Sequence, residues 1–461
     1  MKTLDLPLAL GGAGGQAAQI EAALRAAIRD GRLAAGMRLP SSRSLALQWR
    51  VSRNAVVQAF ESLQSDGLLQ ARWGAGTYVS PQLPPRPVAA GKPPAPDWSP
   101  APRRPFALGA TLTRPRLLRP LAQAVRRWSA EPGLLGYGDP RGSAALRQEI
   151  ARHLAANRGL PADPEHIVIV NGVQAALRLC AEALLPRGSG IWFEEPGYPV
   201  ARRTLEAAGL RPCPVPVDGE GLDVAAAIAS APRASAVYVT PSHQFPMGVT
   251  LSMARRAALL QWARQHQAWI FEDDYDSEFR YAGQPLTALA GIDGAERVIY
   301  IGTFSKTLFP GLRLAYMAVP PAALARVLQA RAAHDRFSST VLQEAVARFM
   351  ANGEYAAHIR RMRKHYQACR DLLAQTLAPV LDIRSPAQGL HLLAMLPAGM
   401  GAAQARALLD TAQVQAWLLS DVSPAPARDA LILGFSGYEL PELRAAAQRL
   451  RAAAATLTGR S

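Results

Sequence analysis

At 461 residues the chain exceeds a usual single domain, and 49% hydrophobic against 19% charged residues provides for a substantial core. No run of 18 apolar residues is present to span a membrane, and the N-terminal stretch, with Lys2 and Asp5 before Gly11–Gly15, fits a secretory signal poorly. Three scattered cysteines (Cys180, Cys213, Cys369) exclude a disulfide scaffold or a cysteine-based zinc cluster and fit a reducing cytoplasm, while a net charge of +16 points to a polyanionic partner. Of 51 basic residues only four are lysine, namely Lys2, Lys92, Lys306 and Lys364. Where a generic positive charge suffices this chain uses arginine, so a lysine in an ordered apolar setting signals a need for an amine.

In chain order, Gln16–Asp30 predicts a helix with Ile20, Leu24, Ala27 and Ile28 on one face, stopped at Gly31. A second helix follows Leu39-Pro40, capped by Ser41 or Ser42, and turns at Arg50–Val51. The third is capped by Ser52, carries Val56, Ala59, Phe60 and Leu63 inward, and ends at Gly67. Leu68–Ala71 and Thr77–Ser80 then read as strands around the tip Arg72-Trp73-Gly74-Ala75-Gly76. That order of elements is a winged helix-turn-helix. Arg53 and Asn54, beside the cap Ser52, open the helix expected to meet base edges in a major groove. Arg43, and Arg72 with Gly74 and Gly76 in the wing, are placed for phosphate or minor-groove contacts.

The stretch Pro81–Pro105 holds ten prolines in 25 positions and reads as a semi-rigid spacer. It divides the chain into a DNA-binding domain at 1–80, a linker at 81–105 and a large α/β domain at 106–461. In the last, strands are expected at His166–Val170, Ile191–Glu194, Val237–Thr240, Trp269–Glu272 and Val298–Gly302. Helices between them, such as Gln174–Leu185 and Met253–His266, imply a largely parallel, buried sheet. Lys306 falls just past the strand ending at Gly302, and Asp273, Asp274 and Tyr275 just past the strand from Trp269, at the edge where open α/β sheets bind ligands. An amine, a carboxylate and an arginine (Arg313) converging there suit pyridoxal 5′-phosphate (PLP): the lysine forms a Schiff base, the carboxylate keeps the pyridine nitrogen protonated and the arginine pairs with phosphate. The turn Asn171-Gly172-Val173-Gln174, opening a helix, offers backbone N–H groups to the same phosphate.

Two resemblances sharpen these readings. Leu39-Pro40-Ser41-Ser42-Arg43, Val51-Ser52-Arg53-Asn54-Ala55-Val56, Asp66-Gly67-Leu68 and Gly74-Ala75-Gly76-Thr77-Tyr78-Val79 resemble the GntR-type winged helix. Residues 106–455 resemble a fold-type I, class I aminotransferase domain. The resemblance implies Lys306, after Ser305, as the Schiff-base lysine and Arg313, seven residues on, as the phosphate arginine. It further implies Asp273 for the pyridinium, Tyr275 for the cofactor hydroxyl, Gly172, Val173 and Gln174 for the phosphate turn, and Tyr198 as the ring that stacks on the cofactor. Tyr137 matches a tyrosine that reaches the neighbouring subunit's phosphate, implying a homodimer. The combined plan resembles the MocR (GabR-like) regulators, and Thr240–Gly248 and Glu272–Phe279 are close to that family's versions.

Two departures stand out. Aminotransferases carry Asn-Pro-x-Gly where this chain has Phe245-Pro246-Met247-Gly248, so a usual hydrogen bond to the cofactor oxygen is missing. Where enzymes and γ-aminobutyrate-sensing members place a carboxylate-clamping arginine, the chain has Ile432, and Arg428 lies at the wrong spacing to replace it. The expected function is thus a cytoplasmic, PLP-dependent regulator that binds operator DNA and senses a small amine, or PLP itself, through an aldimine on Lys306. Beside it stand a working aminotransferase with an appended DNA-binding domain, and a nucleic-acid-binding protein whose aminotransferase domain is only a dimerisation scaffold.

Overall fold

The computed structural model describes residues 15–82, 104–294, 296–423 and 428–458. The chain splits into two compact units, Met1–Pro100 and Ala101–Ser461. The expected linker at 81–105 lies almost wholly outside the described residues.

In the first unit, helices α1 (Gln16–Arg29), α2 (Ser42–Trp49) and α3 (Arg53–Ser65) precede the hairpin β1 (Leu69–Arg72) and β2 (Gly76–Val79). Both serine caps form: Ser41 Oγ accepts from Ser44 N at 3.1 Å and Ser52 Oγ from Ala55 N at 3.1 Å. Each satisfies a first-turn N–H that would otherwise lack a partner. Between α2 and α3 the backbone turns through Arg50 in the left-handed region (φ 54°), which lets two short helices cross within three residues. Ile20, Leu24, Leu45, Val56, Phe60 and Leu63 close a core of this unit's own. The hairpin pairs Leu69 with Val79 and Arg72 with Gly76.

The second unit opens with α4 (Pro115–Ser129) and α5 (Ala144–Arg158), then builds an eight-stranded sheet. Its strands are β3 (Ile167–Val170), β4 (Gly190–Glu195), β5 (Arg211–Asp218), β6 (Gly221–Leu222), β7 (Ala236–Val239), β8 (Trp269–Asp274), β9 (Val298–Thr303) and β10 (Ala315–Ala318), in the order β3-β10-β9-β8-β7-β4-β5-β6. The five expected strands form within two residues of their predicted ends, and α6 (Val173–Leu184) follows β3. β5, β4, β7, β8 and β9 run parallel, whereas β10 is antiparallel to both β9 and β3. Both faces are covered, which explains the unbroken apolar runs. Ile167, Ile169, Val237, Val239 and Ile270 enter one core, and Val168, Val170, Ala236, Tyr238 and Phe271 the other.

A second sheet of β11 (Asp382–Arg384), β12 (His391–Met395), β13 (Trp417–Leu418) and β14 (Ala430–Gly434), ordered β11-β12-β14-β13, is antiparallel throughout. Leu392, Ala394, Leu431 and Leu433 turn one face into the main core. By strand alternation His391, Leu393, Trp417 and Ile432 share the other face. No helix among the described residues is long and apolar enough to cross a membrane.

Candidate functional site

Topology gathers the expected cofactor residues at one sheet edge. β3, β4, β7, β8 and β9 all end there, and β10, running the other way, begins there. So the turn after β3, Tyr198 after β4, the 240–248 loop after β7, Asp273 on β8, Ser305 and Lys306 after β9, and Arg313 before β10 come to a common edge.

Asp273 is 4% exposed, and its Oδ2 accepts from the Tyr238 hydroxyl at 2.6 Å. Its Oδ1 is buried with no hydrogen-bond partner. Burial pushes this carboxyl up to about 7, against the pull of the Tyr238 bond and of Lys306. A buried acceptor without a donor is the feature that a protonated pyridine nitrogen would complete.

At the phosphate end, Gly172 caps α6 with φ 100° and no side-chain cap, so the first-turn N–H groups stay open. The Arg313 guanidinium lies so close that a β-carbon on Gly172 would stand 3.2 Å from Nη2, which donates to Asn171 O at 3.0 Å. Backbone donors, a helix N-terminus and an exposed guanidinium thus form one anion cradle, with Val173 and Gln174 in its first turn. Lys306 is half-buried on the turn after β9, where Ser305 N donates to Thr303 Oγ1 at 3.1 Å. A β-carbon on Gly109 would come 3.3 Å from Lys306 Nζ, so the 109 position leaves room for the amine. The half-buried Tyr198 meets Phe245 edge-on at 5.6 Å, and burial, with Asp273 nearby, holds its phenol above the ordinary range. The donor set fits PLP: an anion cradle at β3 and β10, an amine after β9 and an unpartnered carboxylate oxygen on β8, in that order along one edge.

Other expected residues stand differently. Tyr275 is in the cluster, but its hydroxyl lies 3.0 Å from His243 Nδ1. Tyr137 stands apart at 84% exposed, its ring under Arg336 at 4.7 Å and edge-on to Phe337. It adjoins the phosphate turn through Asp335, which accepts from Asn171 Nδ2 at 2.7 Å. Ile432 is fully buried, and Phe245 covers its face of the small sheet, 5.4 Å from the His391 ring and 6.3 Å from Trp417. Arg428 is engaged elsewhere, donating to Leu396 O at 2.7 Å and Asp382 Oδ2 at 3.2 Å.

Sequence reasoning passed over Glu194, His243, Asp276 and His391, all buried at this edge. Glu194, lifted to about 7 by burial, accepts from the Thr240 hydroxyl at 2.6 Å and anchors the 240–248 loop. Burial also holds His391 neutral, down to about 3, with Nε2 donating to Pro246 O at 3.0 Å.

In the first unit Arg43, Ser52, Arg53 and Asn54 are exposed at the starts of α2 and α3, and Arg72, Gly74 and Gly76 at the wing. Trp73 beside them is wholly exposed, and Arg72 lies 4.6 Å over the Tyr78 ring. Neither Arg43 nor Arg53 has an ion-pair partner among the described residues.

Comparison with known proteins settles the family. The GntR family of bacterial regulatory proteins matches residues 16–79, and aminotransferase class I and II matches residues 109–419. A protein described as the probable rhizopine catabolism regulatory protein MocR of Rhizobium meliloti is 36% identical over 94% of this chain and 93% of its own. This chain belongs to the MocR-type GntR regulators. The pyridoxine biosynthesis transcriptional regulator PdxR of Corynebacterium glutamicum is 34% identical, covering 81% of this chain and 82% of its own. Among solved structures, an archaeal alanine:glyoxylate aminotransferase superposes with a TM-score of 0.70 at 26% identity, covering 76% of this chain and 90% of that one. The protein is therefore a PLP-dependent, DNA-binding transcriptional regulator with a fold-type I aminotransferase domain, as its sequence implied.

Proposed function

We propose that this MocR-type regulator uses PLP on Lys306 to sense a small amine lacking a carboxylate, or PLP itself, rather than to turn over amino acids. One observation carries the reading: the cofactor-holding groups are intact while the place of the carboxylate clamp is closed. Lys306, Asp273 and the Arg313–Gly172 cradle are assembled, yet Ile432 lies fully buried among Leu393, Trp417 and Phe245. A carboxylate brought there would lose its water and gain no guanidinium.

PLP, when bound, supplies an electrophilic aldehyde and an electron-withdrawing ring. Lys306 would offer its amine to the aldehyde, Asp273 Oδ1 would accept from the ring nitrogen, Gly172, Val173, Gln174 and Arg313 would receive the phosphate, and Tyr198 would supply the aromatic face for the ring. Tyr137, exposed beside the phosphate turn, is assigned to the cradle of a second copy in a homodimer. A ligand biases the regulator only through unequal affinity for its conformational states, so exchange at Lys306 is read out by the pair of winged helices. The operator lies in the cytoplasm, where we place the protein.

The test is the visible spectrum of PLP-loaded protein during addition of amines and then a keto acid. A band that shifts with one amine and is not cycled by keto acid supports the sensor; bleaching by an amine and restoration by keto acid makes the protein a transaminase. Within matched pairs, an amine is expected to saturate the shift at least about tenfold below its α-carboxylated counterpart, since an unpaired carboxylate against Ile432 costs more than about 1.4 kcal/mol. Equal potency would refute the closed-clamp reading.

For DNA, we assign Arg53 and Asn54 to base edges, and Arg43, Ser52 and the wing residues Arg72, Gly74 and Gly76 to the backbone or minor groove. The exposed Trp73 is assigned to the same wing contact. Arg53→Ala is expected to weaken operator binding by about 1–3 kcal/mol and to relax discrimination against non-operator DNA, as read by anisotropy at fixed salt. Unchanged affinity removes Arg53 from the interface.

A further inference from the structure

Tyr275 is not the end of its hydrogen-bond chain. Its hydroxyl lies 3.0 Å from His243 Nδ1, and the same nitrogen lies 3.1 and 3.0 Å from the two carboxylate oxygens of Asp276. His243 and Asp276 are 2% and 1% exposed. The fold leaves a slot for the histidine: Gly389, at φ 93°, would drive a β-carbon to 1.9 Å from His243 Cε1 and 2.3 Å from Nδ1. Gln388 donates to Ser242 O and fixes the neighbouring backbone. A ring nitrogen carries one proton at most, so an ionised Asp276 makes Nδ1 the donor and Nε2 the bare atom. Nε2 is indeed buried without a partner. With Nδ1–H directed at Asp276, the Tyr275 phenol cannot give its own proton to His243. Burial, with Asp276 and Asp273 nearby, holds that phenol well above its ordinary range, so it keeps the proton.

We propose that the His243–Asp276 pair is a positioning device that leaves the Tyr275 hydroxyl as a donor facing the cofactor's ring oxygen, in compensation for the amide donor that Phe245 does not supply. The inference rests on the PLP reading above and on Tyr275 meeting that oxygen. It assigns His243 and Asp276 no contact with the cofactor. Metal binding is the poorer account of the cluster, because Asp276 faces His243 Nδ1 and His391 Nε2 is committed to Pro246 O.

The charged and titratable groups around the device are defined. Asp276 faces His243, Asp274 and Glu278; Tyr275 faces Asp276, Asp273, Glu194 and Asp274; His391 faces His243 and Lys306. Loss of a donor to the ring oxygen makes that oxygen more basic, so the cofactor on Lys306 retains its proton to higher pH.

The test is a pH titration of the visible band in full-length, PLP-loaded protein. Tyr275→Phe is expected to raise the midpoint by about one pH unit, a tenfold change in proton affinity. Asp276→Asn, which lets Nδ1 become the acceptor of the phenol proton, is expected to raise it by a similar amount, and the double variant no further than either alone. His243→Phe, which fills the ring's volume without nitrogen, gives a second route to the same shift if Asp276→Asn does not fold; retained thermal transitions identify the variants to be read. A midpoint unmoved in folded Asp276→Asn or His243→Phe, while Tyr275→Phe shifts, overturns the positioning role and leaves the PLP reading standing. An unmoved midpoint in all three overturns the role of Tyr275 as well, and a wild-type protein without a visible band after PLP addition overturns the inference together with the cofactor reading.

Discussion

Lys306→Ala is expected to abolish the visible band completely while leaving the winged helix folded. The amine is the only group on the turn after β9 able to form a carbon–nitrogen bond to the cofactor aldehyde, and its setting is specialised. In a chain with four lysines among 51 basic residues, this one is half-buried, and its charge is felt by Asp273 and His391. Borohydride reduction followed by mass analysis should fix PLP to wild-type Lys306 stoichiometrically and to the variant not at all. Lys306→Arg should fail equally, since a guanidinium keeps its proton and cannot attack an aldehyde at neutral pH. The winged helix closes its own core around Leu24, Leu45, Val56 and Phe60, so its cooperative melting should not change. Covalent incorporation into Lys306→Ala would show that another amine holds the cofactor. Retained DNA binding with lost ligand response would separate the two halves of the regulator.

Several elements were legible because local chemistry and tertiary context agree. Ser41 and Ser52 cap helices in fact as in sequence, and the apolar strands from Trp269 and Val298 deliver Asp273 and Lys306 to one edge. β5 escaped because its Pro212, Pro214 and Pro216 argue against a strand. The structure resolves this by alternation. Arg211 N donates to Ser189 O beside β4, so the N–H groups of Cys213, Val215 and Val217 also face β4, and the prolines face the side where only the short β6 pairs, through Val217 and Asp218. The small sheet escaped because its strands are two to five residues long, too short for a period of two to emerge. The His243–Asp276 contact joins residues 33 apart on two loops. No local pattern encodes it; the glycine at 389 that makes room for the ring is read as punctuation until the structure shows what it admits.

Asp273→Asn is expected to act in opposite directions on cofactor affinity and on the stability of the cofactor-free protein. In the wild type the carboxyl is buried, pushed up to about 7 from an ordinary 3.8, with Oδ1 unpartnered. A raised folded value means that the folded state holds its proton more tightly than the unfolded one. Stability from this group is therefore greatest below pH 4 and is lost as pH rises toward 7. Asparagine removes that dependence while its carbonyl still accepts from the Tyr238 hydroxyl. The melting temperature of cofactor-free Asp273→Asn should thus equal or exceed that of wild type at pH 7, and the advantage should shrink at pH 4. Glu194, raised by the same cause, contributes a parallel loss that is common to both proteins and cancels in the difference. PLP binding should move the other way. An amide cannot hold the ring nitrogen protonated, and losing one partner of a buried charge pair costs about 2–5 kcal/mol, a loss of roughly thirtyfold or more in affinity. Added PLP should accordingly raise the melting temperature of wild type far more than that of the variant, and most at pH 7 and above, where the unbound carboxylate is least comfortable. A variant that loses stability without its cofactor yet binds PLP normally would mean that Asp273 is a structural partner of Tyr238 and that the pyridinium is held by another group. The expected pattern instead marks a carboxylate kept at a cost to the empty fold because the cofactor removes that cost.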